Sequence, residues 1–135
     1  MNLFLGGWGG TPGGWGPAVA NYRIHMRYSD LVDPGPAGTF VFVDMREDSI
    51  DMGNFCTNMR GWPNNPSAYV YWDLPGFYHN GACGFSFADG HSEIKKWRDT
   101  RTMPPMVRGS YVNDVFNSPN NQDVGWLQER STRPK

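Results

Sequence analysis

Residues 84 to 97, GFSFADGHSEIKKW, set an Asp-Gly pair between two alternating apolar and polar runs. This is among the strongest short-range hairpin signals, because a two-residue type I′ turn needs positive φ at both central positions and Asp-Gly supplies it at little cost. With Asp89 and Gly90 at the turn, Ala88 faces His91, Phe87 faces Ser92, Ser86 faces Glu93 and Phe85 faces Ile94. One face of the hairpin then carries Phe85, Phe87 and Ile94 toward a core. The other carries Ser86, Glu93, Lys95 and His91 toward water.

The rest of the chain suits such a hairpin. With 135 residues it is one domain, 1–135, with a core of its own. Aromatic residues make up 15%, Gly (17) and Pro (11) are abundant, and strong helix formers are scarce, which favours short strands joined by turns. TFVFVDM (39 to 45) is apolar on both faces and reads as a central strand buried on two sides. NFCTNM (54 to 59) and SAYVYW (67 to 72) are two further candidate strands. DVGWLQER, from 123, reads as a short C-terminal helix with Asp123 as N-cap and Trp126, Leu127 and Arg130 at helical spacing. Residues 1 to 17, with GGWGGTPGGWG, read as a Gly/Trp-rich loop. The fold class is α+β: an antiparallel sheet with one or two short helices, loop-rich.

Twelve Lys plus Arg against thirteen Asp plus Glu leave no basic field to hold a phosphate backbone, so nucleic acid is excluded as a partner. No stretch approaches the roughly 20 apolar residues that cross a bilayer. MNLFLGGWGG lacks the basic region of a signal peptide, and its apolar run breaks at Gly6. Two cysteines, Cys56 and Cys83, leave a disulfide and a pair of buried thiols both open.

HNGACGFSFADGH (79 to 91) raises the question of a metal or catalytic cluster. If residues 79 to 88 run as one strand at about 3.3 Å per residue, His79 and Asp89 stand on the order of 30 Å apart and share no ion. Asp89 and His91 are neighbours, but two ligands fall short of the three a catalytic zinc takes from protein. Asp89 is read as accepting backbone N–H groups of its turn. A second acidic cluster, Asp44, Glu47, Asp48 and Asp51, follows the central strand and is a candidate for calcium, which takes six to eight oxygens, although its spacing is not that of an EF-hand. There is no G-x-S-x-G elbow, no H-E-x-x-H and no phosphate loop opening a helix. Cys83 falls on the Phe85 and Phe87 face as a buried, unreactive thiol. No catalytic residue is assigned.

The segment HNGACGFSFADGHSEIKKWRDTRT has the form His, nine residues, Asp-Gly. With TFVFVDMREDSIDMGNF before it and QDVGWLQERSTRPK after it, it resembles the bacterial prepilin-type processing-associated H-X9-DG proteins, which are similar to type II secretion pseudopilins. His79, Asp89 and Gly90 occupy the motif positions, and His91 follows them. The resemblance implies a pilin-like globular head. In the family it is preceded by a basic leader, a processing site and a long apolar helix, and the sequence contains none of these. It also implies an extracytoplasmic, periplasmic or cell-surface, location, membrane attachment only through that helix, and assembly with copies of itself or other pilin-like subunits in a filament. Related pseudopilins bind calcium, which lends weight to the acidic cluster.

The expected function is a non-enzymatic structural subunit, with calcium as the one cofactor considered. Two rivals remain. An extracellular glycan-binding module would use Trp8, Trp15, Trp62 and Trp72, with Tyr69, Tyr71 and Tyr78, as ring-stacking surfaces. A metal-dependent hydrolase would require His79, Asp89 and His91 to converge within about 4 Å of one point.

Overall fold

The structure, a computed structural model, describes residues 1–6, 17–50, 53–109 and 115–135. Strands β1 (Phe40–Val43), β3 (Ala82–Phe87) and β4 (Ser92–Lys96) form one antiparallel sheet in the order β1-β3-β4. Strands β2 (Val70–Tyr71) and β5 (Phe116–Asn117) form a second, two-stranded sheet. Helix α1 spans Pro17–Ala20, α2 spans Gln122–Glu129, and short 3-10 turns punctuate the connections. The fold is a small, loop-rich α+β architecture, as the composition led us to expect. Among the described residues no helix is long and apolar enough to cross a membrane.

The hairpin forms, but its loop has three residues rather than two. Phe87 N–H bonds the His91 carbonyl (2.9 Å) and Gly90 N–H bonds the Phe87 carbonyl (3.0 Å), leaving Ala88, Asp89 and Gly90 as the loop. Only Gly90 takes positive φ (+94°), whereas a type I′ turn would need it at Asp89 as well. The register therefore moves by one: Phe85 faces Glu93, Ser86 faces Ser92 and Gly84 faces Ile94. Such a slip exchanges the faces of the second strand. Ile94, expected in the core, is 70% exposed. Lys95, expected in water, turns its stem to the core side and reaches Asp123 at 3.3 Å.

The core lies between the inner face of the three-stranded sheet and helix α2. Cys83, Phe85 and Phe87 from β3 pack with Phe40, Trp97, Val124 and Leu127. Phe85 meets Trp97 and Trp126 edge-on, with ring centroids 6.0 and 5.0 Å apart. Burying an aromatic side chain of this size stabilises by about 2–3 kcal/mol. A second cluster joins Leu3, Phe4, Val19, Cys56 and Met59, with Tyr22, Trp62 and Trp72 half-buried against it. Residues 1–6 hold no helix or strand and tuck onto the domain through Leu3 and Phe4; residues 7–16 of the expected Gly/Trp-rich loop lie outside the described residues. Cys56 and Cys83 belong to different clusters and are buried thiols, not a disulfide.

Three other expectations change. The central strand is not buried on both sides: Phe40 is buried, but a bulge at Val41 follows it and Phe42 is 59% exposed. NFCTNM is buried throughout without becoming a strand, apart from one bridge at Phe55. Side chains supply the partners its backbone would seek in a ladder. The Asp73 carboxylate accepts from Cys56 N–H, Gln128 Nε2 donates to the Asn58 carbonyl and Tyr22 Oη to the Met59 carbonyl. Helix α2 is capped by Asn121, whose Oδ1 accepts from Asp123 N–H at 2.8 Å, so Asp123 lies inside the first turn instead of capping it.

Candidate functional site

His79 and Asp89 flank the two ends of β3, which passes between them with six residues. At about 3.3 Å per residue this strand alone separates them by on the order of 20 Å. His79 sits where a turn feeds β3, its N–H bonding the Ala82 carbonyl (3.3 Å). Its Nε2 lies 3.6 Å from Asp44 Oδ2, both side chains more than half exposed. Asp44 Oδ2 also accepts from Gly84 N–H at 3.3 Å, so the carboxylate rests on the outer face of the sheet where β3 has no side chain.

At the other end, Asp89 Oδ1 accepts from His91 N–H (3.1 Å) and pairs with His91 Nδ1 (2.6 Å). The hydrogen bond from the His91 side chain, seconded by its backbone N–H, holds the Asp89 carboxyl below the usual carboxylate range. The His91 ring stacks on Phe87, centroids 4.3 Å apart. Asp89, Gly90 and His91 together therefore shape one turn. The structure does not bring His79, Asp89 and His91 to a common point, as a hydrolase built from them would require.

The acidic candidates also separate. Asp48 is buried and faces Arg46: Arg46 Nε donates to Asp48 Oδ1 at 2.8 Å, Arg46 Nη2 and Val107 N–H donate to Oδ2, and the guanidinium also reaches the Pro104 and Pro105 carbonyls. The Arg46 hydrogen bonds hold the Asp48 carboxyl below its ordinary range against the opposing effect of burial. Glu47 is exposed, and Asp44 is at the His79 end. Asp51 lies outside the described residues. Among the described residues no three His, Cys, Asp or Glu side chains gather as metal ligands. Charge balance at Asp48 comes from arginine, and both carboxylate oxygens already accept hydrogen bonds from Arg46.

Of the aromatic candidates, Trp8 and Trp15 lie outside the described residues. Trp62, Tyr69 and Trp126 line a groove of about 450 Å³. The Arg133 guanidinium lies over Trp62 (5.1 Å) and that of Arg130 over Trp126 (4.2 Å), so a cation already stacks on one face of each ring. Trp72, half-buried, borders a larger cavity of about 590 Å³ with Tyr22, Met59, Arg60 and Val70. Tyr69 and Tyr71 are buried and Tyr78 is exposed.

Sequence reasoning missed one heavily connected polar group. Asp123, fully buried, accepts from Arg98 N–H, Asp99 N–H, Thr102 Oγ1 and Lys95 Nζ, and Tyr71 Oη lies 2.9 Å from the same Thr102 hydroxyl. Burial raises the Tyr71 phenol far above its usual value. Burial, with Asp44 second, pushes the Cys83 thiol up to about 12, which makes it unreactive at neutral pH. These groups hold the helix to the sheet. No protein-family model, curated protein or solved structure matches the chain.

Proposed function

We propose that the chain is the head of a pilin-like structural subunit, displayed outside the cytoplasmic membrane and assembling with copies of itself or other pilin-like subunits, with no chemistry of its own. The observation that carries this reading is how the His, nine residues, Asp-Gly motif is used. Asp89, Gly90 and His91 form and brace the β3–β4 loop, and His79 marks the far end of the same strand beside Asp44. A motif spent on shaping a hairpin supports a scaffold. A catalytic motif would gather its groups around a reacting atom.

The test is assembly. The purified chain should sediment as a monomer or weak oligomer, and in-cell crosslinking should join it to pilin-like subunits outside the cytoplasmic membrane. Long filaments formed by the purified chain alone, or a cytosolic protein that crosslinks to no such subunit, would overturn the reading.

A further inference from the structure

Two buried side-chain polar atoms among the described residues have no hydrogen-bond partner, His25 Nε2 and Gln128 Oε1. His25 sits at a junction of three segments and is 4% exposed. Its N–H bonds the Phe4 carbonyl (2.8 Å) and its carbonyl accepts from Gly6 N–H (2.9 Å), which clasps the start of the chain. Two residues earlier, Arg23 N–H bonds the Arg133 carbonyl (2.8 Å) and Thr132 Oγ1 donates to the Arg23 carbonyl (2.7 Å), which clasps the end of the chain.

The ring is held from one side only. Nδ1 lies 3.2 Å from the Asp30 carbonyl oxygen. A carbonyl can only accept, so Nδ1 carries the proton and the neutral ring presents Nε2 as a bare acceptor. Leu5, Leu31, Val41 and Ala88 line the same pocket of about 280 Å³ and bring no charge to it. The charged and titratable groups nearby are Asp30, Arg27 and Tyr28 after it in the chain, Arg23 before it, and Arg133 from the C-terminal tail. The Asp30 carboxylate is already engaged by Met26 and Arg27 N–H, and Arg133 by Asp33. Burial is the largest influence and holds the ring's pKa below the usual histidine value. The Asp30 carbonyl and carboxylate pull the other way, and Arg23 and Arg133 add to the lowering.

We propose that His25 is an acid-sensitive latch: protonation at Nε2 opens the junction of residues 2–6 with 22–31 and the C-terminal tail, while the sheet and α2 stay folded. An imidazolium needs a partner or water at Nε2, and the closed junction buries that nitrogen with no hydrogen-bond partner. The opened junction binds the proton more readily, so opening grows as pH falls. The growth is at most about tenfold per pH unit, beginning near 6.5, where an exposed histidine titrates, and levelling off below the pKa of the closed form.

Amide hydrogen exchange between pH 7.5 and 4.5, corrected for the intrinsic rate, tests this. Protection of the Gly6 and His25 amides should fall by up to about tenfold per pH unit, while the Phe87 amide in the sheet keeps its protection. His25→Gln should flatten the dependence, and a His79→Gln/His91→Gln double variant should retain it. A flat wild-type profile, or a His25→Gln profile like the wild type's, overturns the latch. Should His25→Gln fail to fold, titration of the wild-type imidazole by NMR decides: a midpoint below the free-histidine value supports the proposal, and one at or above it removes it.

Discussion

The His91 ring lies flat on Phe87, with planes 7° from parallel. The two residues are opposite one another only because the hairpin loop contains Ala88, Asp89 and Gly90, so the stack reports the register of the whole β3–β4 pair. Gly90 is the residue this loop cannot exchange freely, since its φ of +94° lies where a Cβ meets its own backbone. Gly90→Ala should lower stability by about 1–2 kcal/mol with no loss of side-chain contacts, because a Cβ built there meets nothing within 4 Å. Urea unfolding of the variant checks this, and an unchanged midpoint would argue for a different loop.

Register makes a second prediction. In the observed pairing Ile94 projects into solvent and Phe85 into the core. Ile94→Thr should change stability by no more than about 0.5 kcal/mol, as surface substitutions do. Phe85→Ala should cost about 3–5 kcal/mol through lost burial and a cavity beside Trp97 and Trp126. Comparable losses for the two variants in thermal or denaturant melts would restore the two-residue loop.

The hairpin's existence was legible because Asp-Gly between alternating runs is a local signal, whereas its register was not. Two- and three-residue loops differ in the conformation of Ala88 and Asp89, and both residue types are acceptable in either loop. The α+β class and α2 were legible from composition and helical spacing. The cap was misread by two residues because Asn121 and Asp123 are both good capping residues, and the buried donors around Asp123 come from residues 95 to 102. NFCTNM was misread for a related reason: its partners are side chains from distant segments, Asp73, Gln128 and Tyr22, which local pattern cannot show. In the candidate site, the Asp89 turn was readable from Asp-Gly. The pairing of His79 with Asp44 and the Arg46–Asp48 pair were not, the first because it depends on how β1 lies beside β3, the second because a charged residue in a polar segment gives no sign that it will be buried.

Two glycines should respond unequally to alanine. At Gly61, φ is +84° and a Cβ would collide with the Asn65 carbonyl oxygen, a backbone atom whose own residue accepts and donates in the adjoining turn. Gly61→Ala should cost more than about 2 kcal/mol, the sum of left-handed strain and displacement of that turn. At Gly84 the Cβ would lie 3.0 Å from Asp44 Oδ2, the far end of a half-exposed side chain that can rotate into solvent. Gly84→Ala should cost less than about 1 kcal/mol, offset in part by the lower entropy of the unfolded chain. Denaturant melts rank the two, and a greater loss at Gly84 would mean that Asp44 is fixed in place.

The Arg46–Asp48 pair should govern part of the acid limit of stability. Both side chains are buried, and the Asp48 carboxyl is held below the usual carboxylate range by its hydrogen bonds from Arg46. As pH falls the unfolded state takes up a proton at this position before the folded state does. The pair's contribution is therefore fully present above the ordinary carboxylate range and lost as pH falls through it toward the lowered folded value. Asp48→Asn should remove this dependence and, at neutral pH, cost about 3–5 kcal/mol, because it leaves the guanidinium buried without its counter-charge. An Arg46→Met/Asp48→Leu double variant should recover much of that loss, since neither charge is then desolvated alone. Thermal melts of the three proteins at pH 7 and pH 3 separate these outcomes. If Asp48→Asn melts like the wild type at pH 7, the carboxylate is not the counter-ion that keeps Arg46 inside.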